Sequence, residues 1–331
     1  MKKILITGAS GFVGYHLVLA AFQAGYEVHV AVRKSSNISD ISPFVTQFFY
    51  PDFNQFSSLL TLFSTNKYDY VIHAAAMTKA KSEDVMKEAN VKLTEGLVEA
   101  AFYKESQAPL RFVFVSSLAA IGPVAYDEVA IKEGNPYQPV TMYGRSKQKA
   151  EQLIKEKFSD KPISIIRPTA VYGPREKDLF ILFDTMNKGL DAYVGRTAQK
   201  LSFVYIKDLV ELLLQACVVP QQGLEIYNVS DGRVYSRYAM AEIFKKTFHR
   251  KLFRIHVPYG IVRLVAYILQ WWYRNSSKTA VIYPERLGEL TAENWECDIT
   301  CAQQKLGFRP KFDLQKGLTS CLHWYKKNNW F

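Results

Sequence analysis

The chain's 331 residues, 48% hydrophobic and 22% charged, have ordinary globular composition and are enough for one large domain plus a smaller one. Four cysteines (Cys217, Cys297, Cys301, Cys321) with no C-x-x-C pair argue against a disulfide scaffold, and reduced thiols in the cytoplasm are expected, with no metal site. The net charge of +11 is spread along the chain with no nucleic-acid module, so a solvated basic face and phosphorylated ligands are the expected reading, not nucleic acid.

Lys2 and Lys3 precede an apolar run, but Gly8 to Gly11 break it, so no secretory signal is expected. Ile4 to Ile6 are too short a run for a helix and suit a buried parallel strand. Gly8, Gly11 and Gly14 follow, and Phe12 to Ala24 read as a helix closed by Gly25. Strand, glycine turn and helix make a phosphate cradle, because residues without Cβ admit a pyrophosphate and the helix start presents free N–H groups. Gly8, Ser10, Gly11, Phe12, Val13 and Gly14 are the candidate nucleotide contacts. The spacing Gly-x-x-Gly-x-x-Gly after Thr7 resembles the short-chain dehydrogenase/reductase superfamily. Length and later motifs resemble its extended branch, the NAD(P)-dependent epimerase/dehydratase type.

Glu27 to Val32 read as the second strand, whose end meets the adenosine ribose in a dinucleotide fold. Arg33 and Lys34 stand where an acid would bind the ribose hydroxyl of NAD, and no acid occurs before Asp40. A guanidinium grips a 2′-phosphate that a carboxylate repels, so NADP(H) is predicted over NAD(H). Phe48 to Tyr50 are a third strand, and Asp52-Phe53 match the family's pair beside the adenine. Tyr68 to Ala76 are a fourth, ending in Ala74, Ala75 and Ala76, small enough to lie against the cofactor. His73 is expected to be structural. Glu83 to Lys104 carry apolar residues at helical spacing, interrupted by Asn90, which by resemblance holds a water in the proton relay.

Arg111 to Ser116 are a fifth strand, delivering a serine pair where open α/β sheets bind ligands. The resemblance puts the catalytic hydroxyl on Ser117, with Ser116 the backup. Tyr143 and Lys147, four apart at the start of a helix, share a face. A nearby ammonium is expected to lower the phenol's pKa toward the working range, and Lys147 to bond the nicotinamide ribose. Ile163 to Arg167 are a sixth strand, followed by Pro168, Val171 and a Tyr-Gly-Pro passage that in the family meets the nicotinamide. Asp208 is expected at a helix start, and Ile226 to Val229 as the last core strand.

The resemblance implies a doubly wound parallel Rossmann sheet over residues 1–174, also receiving 202–230, with a smaller mixed α/β substrate lobe from 175–201 and 231–331. Three departures bear on substrate. Leu118 and Ala119 stand where the family's dehydratases carry an acid pair, so dehydration is not expected. Leu201 stands where many nucleotide-sugar epimerases carry a pyrophosphate-binding arginine, although Arg175 or Arg196 could substitute. Val257 to Tyr273 are strongly apolar and aromatic but too short an unbroken run to span a bilayer. They read first as a buried helix lining an apolar pocket, and alternatively as a helix resting on an anionic membrane surface. The tail, through Leu306-Gly-Phe-Arg-Pro310, resembles dihydroflavonol reductase and 3β-hydroxysteroid dehydrogenase relatives.

The expected activity is ketone/alcohol interconversion on a largely apolar small molecule, with Ser117, Tyr143, Lys147 and Asn90 catalytic. The alternatives are a nucleotide-sugar epimerase and a non-catalytic NADP sensor, the latter disfavoured by retention of Tyr143 and Lys147. Relatives often form homodimers through the helix bearing that pair.

Overall fold

A computed structural model describes residues 1–273 and 283–331. Seven parallel strands form the central sheet: β1 (Lys3–Thr7), β2 (Glu27–Ala31), β3 (Gln47–Phe49), β4 (Tyr70–His73), β5 (Arg111–Val115), β6 (Ile163–Pro168) and, at its edge, a strand at Glu225–Val229. Helices α1 (Phe12–Gln23), α2 (Phe56–Ser64), α3 (Glu83–Lys87), α4 (Leu93–Phe102) and α5 (Met142–Lys157) connect them. Alpha-3 runs into α4 through a π turn at Glu88–Lys92, so the expected long helix is continuous but locally rewound.

Beyond β6 come β7 (Ala170–Tyr172), α6 (Phe180–Asn187), β8 (Leu190–Val194), β9 (Phe203–Tyr205) and α7 (Ile206–Val218). The edge strand of the sheet is β10 (Glu225–Val229). It is followed by α8 (Ala239–Phe248), β11 (Phe253–Val257), α9 (Tyr259–Trp272), α10 (Pro284–Thr291), α11 (Thr300–Lys305) and α12 (Leu314–Lys327).

The strand order β10-β6-β5-β4-β1-β2-β3 reverses direction between β1 and β4. That reversal opens a crevice at the carboxyl ends of the two strands, where such sheets take their ligands. Both faces of β1 are covered, which is why it reads as an unbroken apolar run: Ile4 and Ile6 pack with Leu17 and Val18 of α1, and Leu5 with Leu59 of α2 and Leu97 of α4. Alpha-7 packs beside α1, while β9 pairs with β7 outside the main sheet. Beta-8 and β11 make a second small parallel pair.

Asp208 lies in the first turn of α7 but does not cap it. Its carboxylate accepts the Lys311 and Phe312 amides at 3.1 and 3.0 Å, fastening the C-terminal segment to the helix. The apolar segment at 257–273 departs from the first of its two readings, a buried helix. Only Val262 and Ala266 of α9 are buried, against Leu287 of α10, and most of its large apolar side chains face outward. Among the described residues no helix is long and apolar enough to cross a membrane.

Candidate active site

The glycine loop closes on the end of β4. Gly8 has φ +73°, and a Cβ there would lie 2.5 Å from the Ala75 nitrogen. A Cβ on Gly14 would lie 2.0 Å from the Gly8 carbonyl oxygen, so α1 reaches the turn only because that side chain is missing. Gly11 donates to the Gly8 carbonyl at 3.0 Å and is the N-cap of α1 without a capping side chain. No acid occupies the first turn of α1. The amides of Phe12 and Val13 therefore sit at a positive helix end with no internal anion, and Ser10 is exposed beside them. These residues fit a dinucleotide pyrophosphate.

Arg33 and Lys34 are exposed just past β2. Asp40, the first acid after them, is ion-paired to Arg175. Arg175 itself, at φ +76°, lies over the Tyr15 ring at 4.1 Å. Asp52 is exposed past β3 and accepts the Asn54 amide at 3.0 Å, while Phe53 is half-buried against the α2 side of the core. Ala74 and Ala75 are half-buried and Ala76 exposed beyond β4. Pro168 ends β6, and Val171 is half-buried in β7.

Ser117 follows β5, its Oγ accepting the Ala119 amide at 3.2 Å and bonding the Tyr143 phenol. Thr141 caps α5 by accepting the Gly144 amide at 3.0 Å, which starts the helix so that Tyr143, Lys147 and Glu151 line one face. Gly144 permits the approach: a Cβ there would stand 2.3 Å from the Ala119 carbonyl oxygen. Lys147 is buried, its Nζ donating to the Val115 carbonyl at 2.7 Å and lying 5.9 Å from the centre of the Tyr143 ring. Ser117, Tyr143 and Lys147 thus converge at the carboxyl end of β5.

The electrostatics differ from expectation. Burial pushes the Tyr143 phenol above its ordinary value and the Glu289 carboxylate adds to the rise, with the Ser117 hydroxyl opposing it. Lys147 is drawn down to about 7 by burial, partly offset by Glu151. Burial thus opposes the expected lowering of the phenol and disfavours the charged form of both groups.

Sequence reasoning missed the support beneath this triad. Arg167 and Glu151 form an ion pair at 2.5 Å, both side chains fully buried. Tyr137 donates to Glu151 at 2.8 Å, and Ser116 at 2.5 Å. Ser116 is committed to that network, whereas Ser117 faces Tyr143. The i+4 position of Glu151 after Lys147 was the available signal.

Asn90 sits on the π turn, its amide donating to the Met77 carbonyl at 2.8 Å and to Ser146 at 2.9 Å while accepting the Met77 N–H at 2.7 Å. His73 is buried between Thr7 (2.7 Å) and Thr94 (3.0 Å), and burial lowers its pKa to about 3. Alpha-10 lies over the start of α5: Glu285 accepts from Arg145 at 2.7 Å and from the Met142 amide at 3.1 Å.

A parallel sheet reversing beside a glycine turn, with a Ser–Tyr–Lys site at the crevice, defines a nicotinamide-dependent enzyme of the extended short-chain dehydrogenase/reductase type. The chain belongs to the NAD dependent epimerase/dehydratase family, whose model matches residues 4–230. It is similar to UDP-glucose 4-epimerase of Vibrio cholerae, 30% identical over 329 residues that cover 96% of this chain and 93% of that protein. It is also similar to ceramide reductase of Caulobacter vibrioides, 26% identical over 336 residues covering 99% and 95%. The crystal structure of Thermotoga maritima UDP-glucose 4-epimerase with UDP-glucose matches at a TM-score of 0.78, with 20% identity and 99% of each chain covered.

Proposed function

We propose that this enzyme interconverts a ketone and a secondary alcohol on a largely apolar substrate, using NADP(H). The observation that carries the reading is the convergence of three groups: the Tyr143 phenol hydrogen-bonded to Ser117, beside the buried Lys147. When bound, the cofactor supplies or accepts the hydride at the carbonyl carbon. Ser117 positions the substrate oxygen, and Tyr143 gives it a proton in reduction or takes one in oxidation. Lys147 is set to bond the nicotinamide ribose. Asn90, tied to Ser146 beside Lys147, is assigned a positioning role, since its amide is taken up by Met77 and Ser146.

Leu118 and Ala119, in the turn after Ser117, cannot move protons, which supports simple oxidoreduction over dehydration. The likeness to ceramide reductase supports an apolar substrate, and that to UDP-glucose 4-epimerase keeps a nucleotide-sugar as the second reading. Arg33 and Lys34, with Asp40 engaged by Arg175, support a 2′-phosphate on the cofactor. The test is NADPH oxidation across a panel of ring and long-chain ketones. Tyr143→Phe should abolish turnover and leave NADPH affinity within about twofold. Full activity in that variant refutes the site.

A further inference from the structure

We infer that the outer face of α9 is a docking surface for an anionic phospholipid bilayer. Val262 and Ala266 turn inward, while Ile261, Leu264, Ile268 and Trp271 make one ridge on the opposite side at spacings of three and four. Leu264 is 62% exposed, Trp271 72% and Trp272 74%, and Tyr267 widens the same face. A helix apolar on both sides is ordinarily buried, and a water-facing ridge of this kind calls for a covering surface. At 14 residues α9 spans about 21 Å, too short to cross a bilayer and suited to lying in its interface.

Charge identifies what covers it. No acid occurs on α9; Arg263 is its cation, stacked on Tyr267 at 5.7 Å. Arg196 is exposed next to Gly195, whose amide bonds the Val257 carbonyl at 2.8 Å just before the helix. A second copy of α9 brings the same Arg263 and no acid, whereas lipid phosphates complement it and the headgroup layer takes the indole and phenol rings.

The inner stripe of α9 packs on Leu287 of α10, and α10 carries Glu285, bonded to Met142 and Arg145 of the catalytic helix. Docking therefore brings α10, and the start of α5 that it bonds, close to the membrane. The inference rests on α9 and not on the substrate reading.

The test is flotation of the whole protein with phosphatidylcholine vesicles carrying about a third phosphatidylglycerol, together with tryptophan quenching by brominated lipids. The wild-type protein should float, less so at high salt, and Trp271 and Trp272 should be quenched. Leu264→Glu combined with Ile268→Glu should weaken binding more than about tenfold, with an unchanged thermal midpoint. Because that double variant can fail to fold, a second variant with Trp271→Phe and Trp272→Phe should keep binding and lose the quenching. Any of four results overturns the inference: no flotation of the wild type, undiminished flotation of the folded double variant, quenching that persists without the two indoles, or a dimer that the double variant dissociates while vesicles go unbound. None of these readouts depends on turnover, so their failure is separable from failure of the proposed reaction.

Discussion

His73 and Lys147 are buried bases on β4 and α5, and burial lowers the pKa of both. His73 is held neutral by burial between two threonine hydroxyls, with the Lys147 cation adding to the effect. Its pKa of about 3 lies below the 6.5 of an unfolded histidine. Between those values the unfolded chain binds one more proton than the folded one, so this group leaves stability intact above pH 6.5 and removes it as pH falls toward 3. The slope is about 1.4 kcal/mol per pH unit. Urea unfolding near neutrality and near pH 5 should show His73→Gln losing less stability on acidification than the wild type. Equal losses would show that His73 is not the group titrating.

Helix α5 acts through one face. Tyr143 faces Ser117, Lys147 reaches Val115 across the strand end, and one turn further Glu151 is locked to Arg167. That pair holds α5 against β6 through bonds shared with Tyr137 and Ser116, so the placing of Tyr143 and Lys147 rests on this buried network. Arg167→Met leaves a fully buried carboxylate unpaired and should cost about 3–5 kcal/mol in denaturant unfolding. Adding Glu151→Gln should return a large part of it, because the stranded charge is then gone. If the two losses simply add, the pair is not the unit described.

At the scale of the whole molecule, the parallel pairing of β1 and β2 puts Arg33 and Lys34, just past β2, on the same side of the sheet as the crevice between β1 and β4. The proposed NADP(H) preference rests on that arrangement. A ligand that binds only the folded chain raises its stability with the logarithm of its concentration over its dissociation constant. NADPH should therefore raise the thermal midpoint more than NADH at equal concentration, and Arg33→Ala should reduce the NADPH affinity roughly tenfold while sparing NADH. Equal shifts for the two cofactors would refute the 2′-phosphate assignment. With cofactor present, a further rise on adding UDP-glucose would favour the epimerase reading instead.

The local order of groups was legible in the sequence: the Ile4–Ile6 strand, the glycines at 8, 11 and 14, the four-residue step from Tyr143 to Lys147, and the serine pair after β5. Each is a short-range pattern set by helix and strand periodicity or by a missing Cβ, and periodicity survives in the one-dimensional record. Three things belong to the tertiary structure alone. It commits Ser116 to Glu151 while Ser117 faces Tyr143, raises the pKa of the Tyr143 phenol by burying it, and turns the apolar ridge of α9 outward. All three depend on which distant segments exclude water from a side chain, and desolvation comes from neighbours far along the chain that periodicity does not encode.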